Sequence, residues 1–196
     1  MASPATLILA SGSPRRRELL AKRGVSFEVL TADVVELDAE SAPDLSPLDL
    51  TRENARLKAR AVAELARGRG RWVLGADTVV ALNGCVYGKP ASLEEARACL
   101  RRLSGRTHEV ITGCTLVAPD GAETVFHDIT RVTFLPLSDE IITRYLAEVH
   151  VLDKAGAYAL QECGEWIIAG VEGSRDNVIG LPVEMLEKVL HDNGMP

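Results

Sequence analysis

The chain has 196 residues, 46% hydrophobic and 26% charged, with 22 basic against 28 acidic side chains and a net charge of −6. That composition excludes a disordered or fibrous chain and supports one globular domain over residues 1–196, or two lobes around a central cleft. The acidic balance argues against coating nucleic acid or anionic membrane through bulk charge, yet leaves room for a local basic pocket.

In chain order, Thr6–Ala10 reads as a short buried strand, and Ser13-Pro14 supplies an N-cap and first-turn proline for a helix that Gly24 ends. Phe27–Thr31 is a second strand, and residues 37–47 are a polar loop. Ser46-Pro47 opens a longer helix with Leu50, Leu57, Ala61 and Leu65 as its apolar stripe, closed by Gly68 and Gly70. Trp72–Leu82 is a strand, turned by the hairpin signal Asn83-Gly84 into Cys85–Tyr87. Ser92 and Glu95 form a capping box for a helix reaching Leu103. Strands follow at His108–Val117 and Glu123–Phe134, joined by Pro119-Asp120-Gly121. Ser138 caps another helix, Trp166–Val171 is a strand, and Pro182 starts a last helix that ends before Gly194. Helices and strands interleave, but two hairpins break a strict βαβ repeat, so a mixed α/β sheet with flanking helices is expected.

Cys85, Cys99, Cys114 and Cys163 are too few and scattered for a disulfide framework or a CxxC zinc site, so reduced thiols are expected. The apolar run Ala5–Ala10 falls far short of the roughly 20 residues of a membrane span. It is also followed, not preceded, by Arg15-Arg16-Arg17, which is the wrong order for a secretory signal. A soluble cytoplasmic protein is the expectation.

Three places carry chemistry. Ser11-Gly12-Ser13-Pro14-Arg15-Arg16-Arg17 lies between a strand and a helix start. Cations there oppose the helix dipole at about 0.3–1 kcal/mol each, a cost that a bound anion reverses. A solvated basic helix start is the plain alternative, and the residues alone leave both open. Asp77, in Gly75-Ala76-Asp77-Thr78-Val79-Val80, sits inside an apolar strand, where a carboxylate needs a partner or a cation; a metal ligand or general base accounts for it better than a cap. Gly88-Lys89-Pro90 presents a lysine able to meet a phosphate. Asn54 and Lys58 share a helix face for which the residues alone favour an exposed, salt-bridged reading over a functional one, and Glu36 in its acidic stretch has the same ambiguity. His108 has no nucleophilic serine motif beside it, and GxxxxGK[ST] is absent, so neither a Ser-His-Asp hydrolase nor a P-loop enzyme is indicated.

Taken in order, Leu9-Ala10-Ser11-Gly12-Ser13-Pro14-Arg15-Arg16, Lys58-Ala59, Gly75–Val80, Gly88-Lys89-Pro90, Ser104-Gly105 through Thr112-Gly113, Asp153–Tyr158 with Gln161, and Gly173-Ser174 through Pro182 resemble the Maf family of nucleotide pyrophosphatases over nearly the whole chain. The resemblance implies an inosine triphosphatase-like mixed α/β fold. It also implies cleavage of a nucleoside triphosphate between the α and β phosphorus atoms, a divalent cation (Mg²⁺, with Mn²⁺ as the other candidate) and a homodimer. It further implies Asp77 as the proton acceptor, Glu36 and Asp77 as metal ligands, and Ser11, Ser13, Arg16, Lys58 and Lys89 as triphosphate contacts. Arg15, Thr78 and Gln161 match the residues of the subgroup acting on dTTP and UTP; the 7-methyl-GTP subgroup carries tryptophan, glutamine and glutamate there. Arg175 departs from the family pattern, which has an aromatic residue after Gly-Ser. A pyrophosphatase for 7-methyl-GTP or another modified nucleotide, and a non-enzymatic nucleotide-binding regulator of cell division, are the alternatives.

Overall fold

The computed structural model describes residues 7–66 and 70–195. The expected strand start at Thr6 and the helix stop at Gly68 lie outside those residues. The strands are β1 (Leu7–Leu9), β2 (Phe27–Val29), β3 (Trp72–Leu82), β4 (Cys85–Tyr87), β5 (Thr107–Val117), β6 (Glu123–Phe134) and β7 (Ile168–Glu172). The helices are α1 (Pro14–Lys22), α2 (Pro47–Ala66), α3 (Leu93–Leu103), α4 (Asp139–Glu148), α5 (Arg175–Ile179) and α6 (Val183–Asp192). The strands hydrogen-bond in the order β2-β1-β3-β5-β6-β7, with β4 on β3. Parallel β1–β2 and β1–β3 pairs and antiparallel β3–β4 and β6–β7 pairs make the sheet mixed, as expected. Among the described residues no helix is long and apolar enough to cross a membrane, and all four cysteines are free.

The chain divides into two compact units. The first comprises residues 1–77, 112–128 and 180–196. Its centre is β1, whose three apolar residues are fully buried between two parallel neighbours. Ser13 caps α1 as its sequence predicts, the Oγ accepting the Arg16 N–H. Helix α2 departs from the expected stripe. Its buried line is Leu50, Thr51, Asn54, Ala55, Ala59 and Val62, whereas Leu65 is 58% exposed. The reason is close approach. A Cβ on Gly75 of β3 would lie 2.2 Å from the Ala55 carbonyl oxygen and 2.8 Å from the Ala59 Cβ. A Cβ on Gly113 of β5 would lie 2.6 Å from the Thr51 carbonyl carbon. Only small side chains on α2 fit where its backbone meets two bare strand positions, so the leucines are turned away from this contact.

The second unit comprises residues 78–111 and 129–179. The Asn83-Gly84 hairpin takes the positive φ values of its turn type, 52° and 80°. Ser92 caps α3 by accepting the Glu95 N–H, but Glu95 closes the box one residue early, on the Ala91 N–H. Leu100, Leu103, Val132, Phe134, Ile142, Tyr145 and Ile167 form the core. Two features escape the sequence reading. Strand β7 begins at Ile168, because Gly164–Trp166 is a 3-10 turn entered through Cys163 at φ 52°. Helix α5 is too short to show a period and is held instead by Asn177, whose side chain donates to the Val110 carbonyl and the Thr130 hydroxyl, both at 3.0 Å.

His108 is structural in this unit. It packs edge-on to Phe134 and Tyr158, and its Nε2 shares a 2.8 Å hydrogen bond with the Tyr158 hydroxyl. Burial pushes its imidazole down to about 4 and holds it neutral. The folded value lies below the unfolded one near 6.5, so the stabilisation is complete above pH 6.5 and is lost as pH falls toward 4. The loss should reach roughly 3 kcal/mol. Urea-unfolding midpoints measured from pH 7 to 4 should therefore fall less steeply for His108→Gln than for the wild type. In the first unit, Gly75→Ala should destabilise by about 1–3 kcal/mol, read as a lower urea midpoint, because backbone must move to admit the methyl group.

Candidate active site

The register of the parallel strands assembles the first unit's polar residues. Leu9 pairs with Val29 on one side and Leu74 on the other, and the Ala10 N–H extends that pairing to the Leu74 carbonyl. Ser11 to Ser13 therefore follow the carboxyl end of β1, the end at which open α/β sheets bind ligands, and Asp77, in the middle of the longer β3, lies beyond that same end of β1. Helix α2, seated on Gly75, brings Asn54 and Lys58 to the same place.

Lys58 occupies the centre of the cluster. Its Nζ lies 2.8 Å from Asp77 Oδ1 and 2.7 Å from Glu36 Oε2. The side chains of Lys58 and Asp77 are 14% and 12% exposed, so this pair is largely desolvated, in contrast to an exposed helix face, while Glu36 meets it from the solvent side. The other Asp77 oxygen accepts from Asn54 Nδ2 at 3.3 Å. Asn54, only 3% exposed, also binds both backbone groups of Leu37: its Oδ1 accepts the N–H at 2.8 Å and its Nδ2 donates to the carbonyl at 2.9 Å. This face is salt-bridged but not exposed, because the helix turns it inward at the glycine contact.

At the start of α1, Arg16 is buried. Its Nε donates to the Gly180 carbonyl at 2.8 Å and its Nη1 to Ser11 Oγ at 2.9 Å. Ser11 Oγ also accepts the Ser13 N–H at 3.3 Å. Burial lowers the Arg16 pKa, while the charges of Asp77 and Glu36 act in the opposite direction; arginine stays cationic through both. Ser11 and Ser13 thus already serve the protein, one as an acceptor for Arg16 and one as the N-cap. Arg15, beside them, is half-buried.

Thr78, Lys89 and Gln161 belong to the second unit. Thr78 is half-buried; Lys89 and Gln161 are exposed. The Gly156 N–H donates to the Gly88 carbonyl at 3.1 Å, so the loop carrying Lys89 is tied to the Asp153–Tyr158 segment. In that segment Lys154 is buried, with its ammonium on Asp153 and Glu162.

The arrangement suits a hard cation with few protein ligands. The Lys58 ammonium is itself a cation on which one oxygen from each of Glu36 and Asp77 converges. Among the described residues no group of three His, Cys, Asp or Glu side chains gathers that could hold a metal ion. A closed structural metal site is therefore unsupported, whereas two carboxylates plus phosphate oxygens and water match how Mg²⁺ is commonly held. Cys114 offers no nucleophile, since burial pushes its thiol up to about 12.

Sequence reasoning missed two contributors. Asn54 was visible only as a neighbour of Lys58 on the helix, and its spacing from Leu37 carries no motif. The Gly180 carbonyl is a backbone group 164 residues from Arg16, for which no local signal exists.

Comparison with known proteins bears on the family and the fold. Residues 6–193 match the family model described as Maf-like protein. A dTTP/UTP pyrophosphatase of Akkermansia muciniphila is 47% identical over 188 residues, covering 96% of each chain. One of Nitratidesulfovibrio vulgaris is 46% identical over 190 residues, covering 96% of this chain and 88% of its own. Among solved structures, a HAM1 protein from Coxiella burnetii superposes with a TM-score of 0.55 at 16% identity, covering 95% of this chain and 98% of its own. The Staphylococcus aureus Ham1 protein gives 0.51 at 18%, with the same coverage. At those identities the likeness concerns the fold alone. The family match spans almost the whole sequence, and this chain belongs to the Maf family.

Proposed function

We propose that this chain is a nucleoside triphosphate pyrophosphatase acting on dTTP and UTP, releasing the monophosphate and pyrophosphate. The observation that carries the reading is the Glu36–Lys58–Asp77 cluster beyond the carboxyl end of β1, in a chain 42–47% identical to dTTP/UTP pyrophosphatases over at least 90% of its length. A mere nucleotide binder has no need of a water-activating carboxylate, which disfavours the regulator reading.

In this reading water attacks the α-phosphorus. Its oxygen forms the new P–O bond, the α–β bridging P–O bond breaks toward pyrophosphate, and the water proton passes to the Asp77 carboxylate. Glu36 and Asp77 would hold a divalent cation, Mg²⁺ or Mn²⁺, which supplies electrostatic stabilisation of the phosphate charge when bound. Two of the three Lys58 N–H donors are taken by the carboxylates. A phosphate oxygen would take the third and draw the ammonium toward the substrate. Arg16, fixed by Ser11 and Gly180, holds positive charge at the helix start without the cost of ordering a free side chain. Ser13 and Lys89 are the further phosphate contacts that family membership suggests. Arg15, Thr78 and Gln161 are the proposed base-reading residues.

Incubation with dTTP or UTP and Mg²⁺ should release pyrophosphate and monophosphate in equal amounts. Asp77→Asn should lower kcat by at least a hundredfold; undiminished turnover would remove Asp77 from the base role. Changing Arg15→Trp, Thr78→Gln and Gln161→Glu together should shift kcat/KM from dTTP toward 7-methyl-GTP in a nucleotide panel, whereas a loss of all turnover without a shift would count against their role in specificity.

A further inference from the structure

We infer that Asn54 is a positioning residue that sets the Glu36 loop against Asp77 and so fixes the separation of the two carboxylates. The inference rests on reading Glu36 and Asp77 as the cation-holding pair.

A carboxamide that is 3% exposed costs several kcal/mol unless its polar atoms are met, so a helix face serving packing alone favours an apolar residue there. All three hydrogen bonds of the Asn54 side chain go to two places. Leu37, the residue next to Glu36, receives two of them, one on each backbone group. Asp77 receives the third on Oδ2, the oxygen not engaged by Lys58. The amide orientation follows from the partners: the reverse flip would set the amide oxygen against both the Leu37 carbonyl and the Asp77 carboxylate.

The bonding pattern resembles one rung of a β-ladder made by a side chain. It matters because the chain between β2 and α2 contains no regular element to hold Glu36 in place. Glu36 itself is tied to Lys58 through its exposed carboxylate, 47% accessible. If Lys58 turns toward a phosphate, the Leu37–Asn54 clamp is what still holds the loop. Asn54 therefore acts through the Glu36 loop and through Asp77, to whose Oδ2 it donates.

Mn²⁺ binding to the nucleotide-free protein, followed by electron paramagnetic resonance, tests this in a double-mutant cycle. Asn54→Ala should weaken Mn²⁺ binding on the order of tenfold, as loss of an outer partner of metal ligands does. In a Glu36→Gln background the same change should cost less than about threefold, because the ligand it positions is already gone. Leu37→Pro, which deletes the N–H that Asn54 accepts without altering α2 or β3, should reproduce the weakening and decides the matter should Asn54→Ala fail to fold. With dTTP, the loss should appear in kcat more than in KM. Wild-type Mn²⁺ affinity in Asn54→Ala or Leu37→Pro, or an equal fold-loss in both backgrounds, would overturn the inference. Unchanged affinity in Glu36→Gln and Asp77→Asn would overturn the reading of the pair, and this inference with it.

Discussion

The contact between α2 and the bare backbone at Gly75 and Gly113 governs the arrangement of the first unit. A helix that approaches a strand so closely that no Cβ fits between them is fixed in rotation as well as distance. Ala55 and Ala59 must face the strand, and the residues flanking them on the helix surface, Asn54 and Lys58, are then carried to the edge of the contact where Asp77 emerges from β3. A rotation that centred Leu57 and Leu65 instead would turn Ala55 and Ala59 out of the contact and set larger side chains against the bare glycines. Backbone proximity thus fixes the rotation that sets a lysine and an amide against a carboxylate.

Once assembled, the cluster resolves the conflict of a carboxylate inside an apolar strand. Asp77 is matched on one oxygen by an ammonium and on the other by an amide. Glu36 gives Lys58 a second negative partner, so the lysine sits between two acids. Arg16 adds a second positive group at the same end of the sheet, anchored on protein oxygens. In a chain with an excess of six negative charges, these cations stand out because two of them are held in place and desolvated. That is the condition under which a small polyanion competes well with water.

Legibility in the sequence depended on whether the signal was local. Strands β3 and β6 run over the residues expected, since long apolar stretches end at turn residues of defined chemistry, Asn83-Gly84 and Pro119-Asp120-Gly121. Caps at Ser13, Ser92 and Ser138 were equally readable, because each is a bond across three residues. The stripe of α2 misled because hydrophobicity ranks leucine above alanine, while the packing here selects for size. Helix α5 and the 3-10 turn before β7 rest on Asn177 and on a left-handed Cys163, neither of which leaves a period.

For the candidate site, residue type and placement pointed to Asp77 and the Ser11–Arg16 segment, and the ordered motifs pointed to the family, whose resemblance in turn implied Lys58 and Glu36. Those are properties of residue type and spacing along the chain, and the sequence by itself determined them. Tertiary structure decided which of the residues meet: Lys58 with both carboxylates, Arg16 with Ser11 and Gly180, and Asn54 with Leu37 and Asp77. It did so because each of these contacts spans a stretch of chain whose two ends become neighbours only after parallel strands register and a helix closes onto glycine.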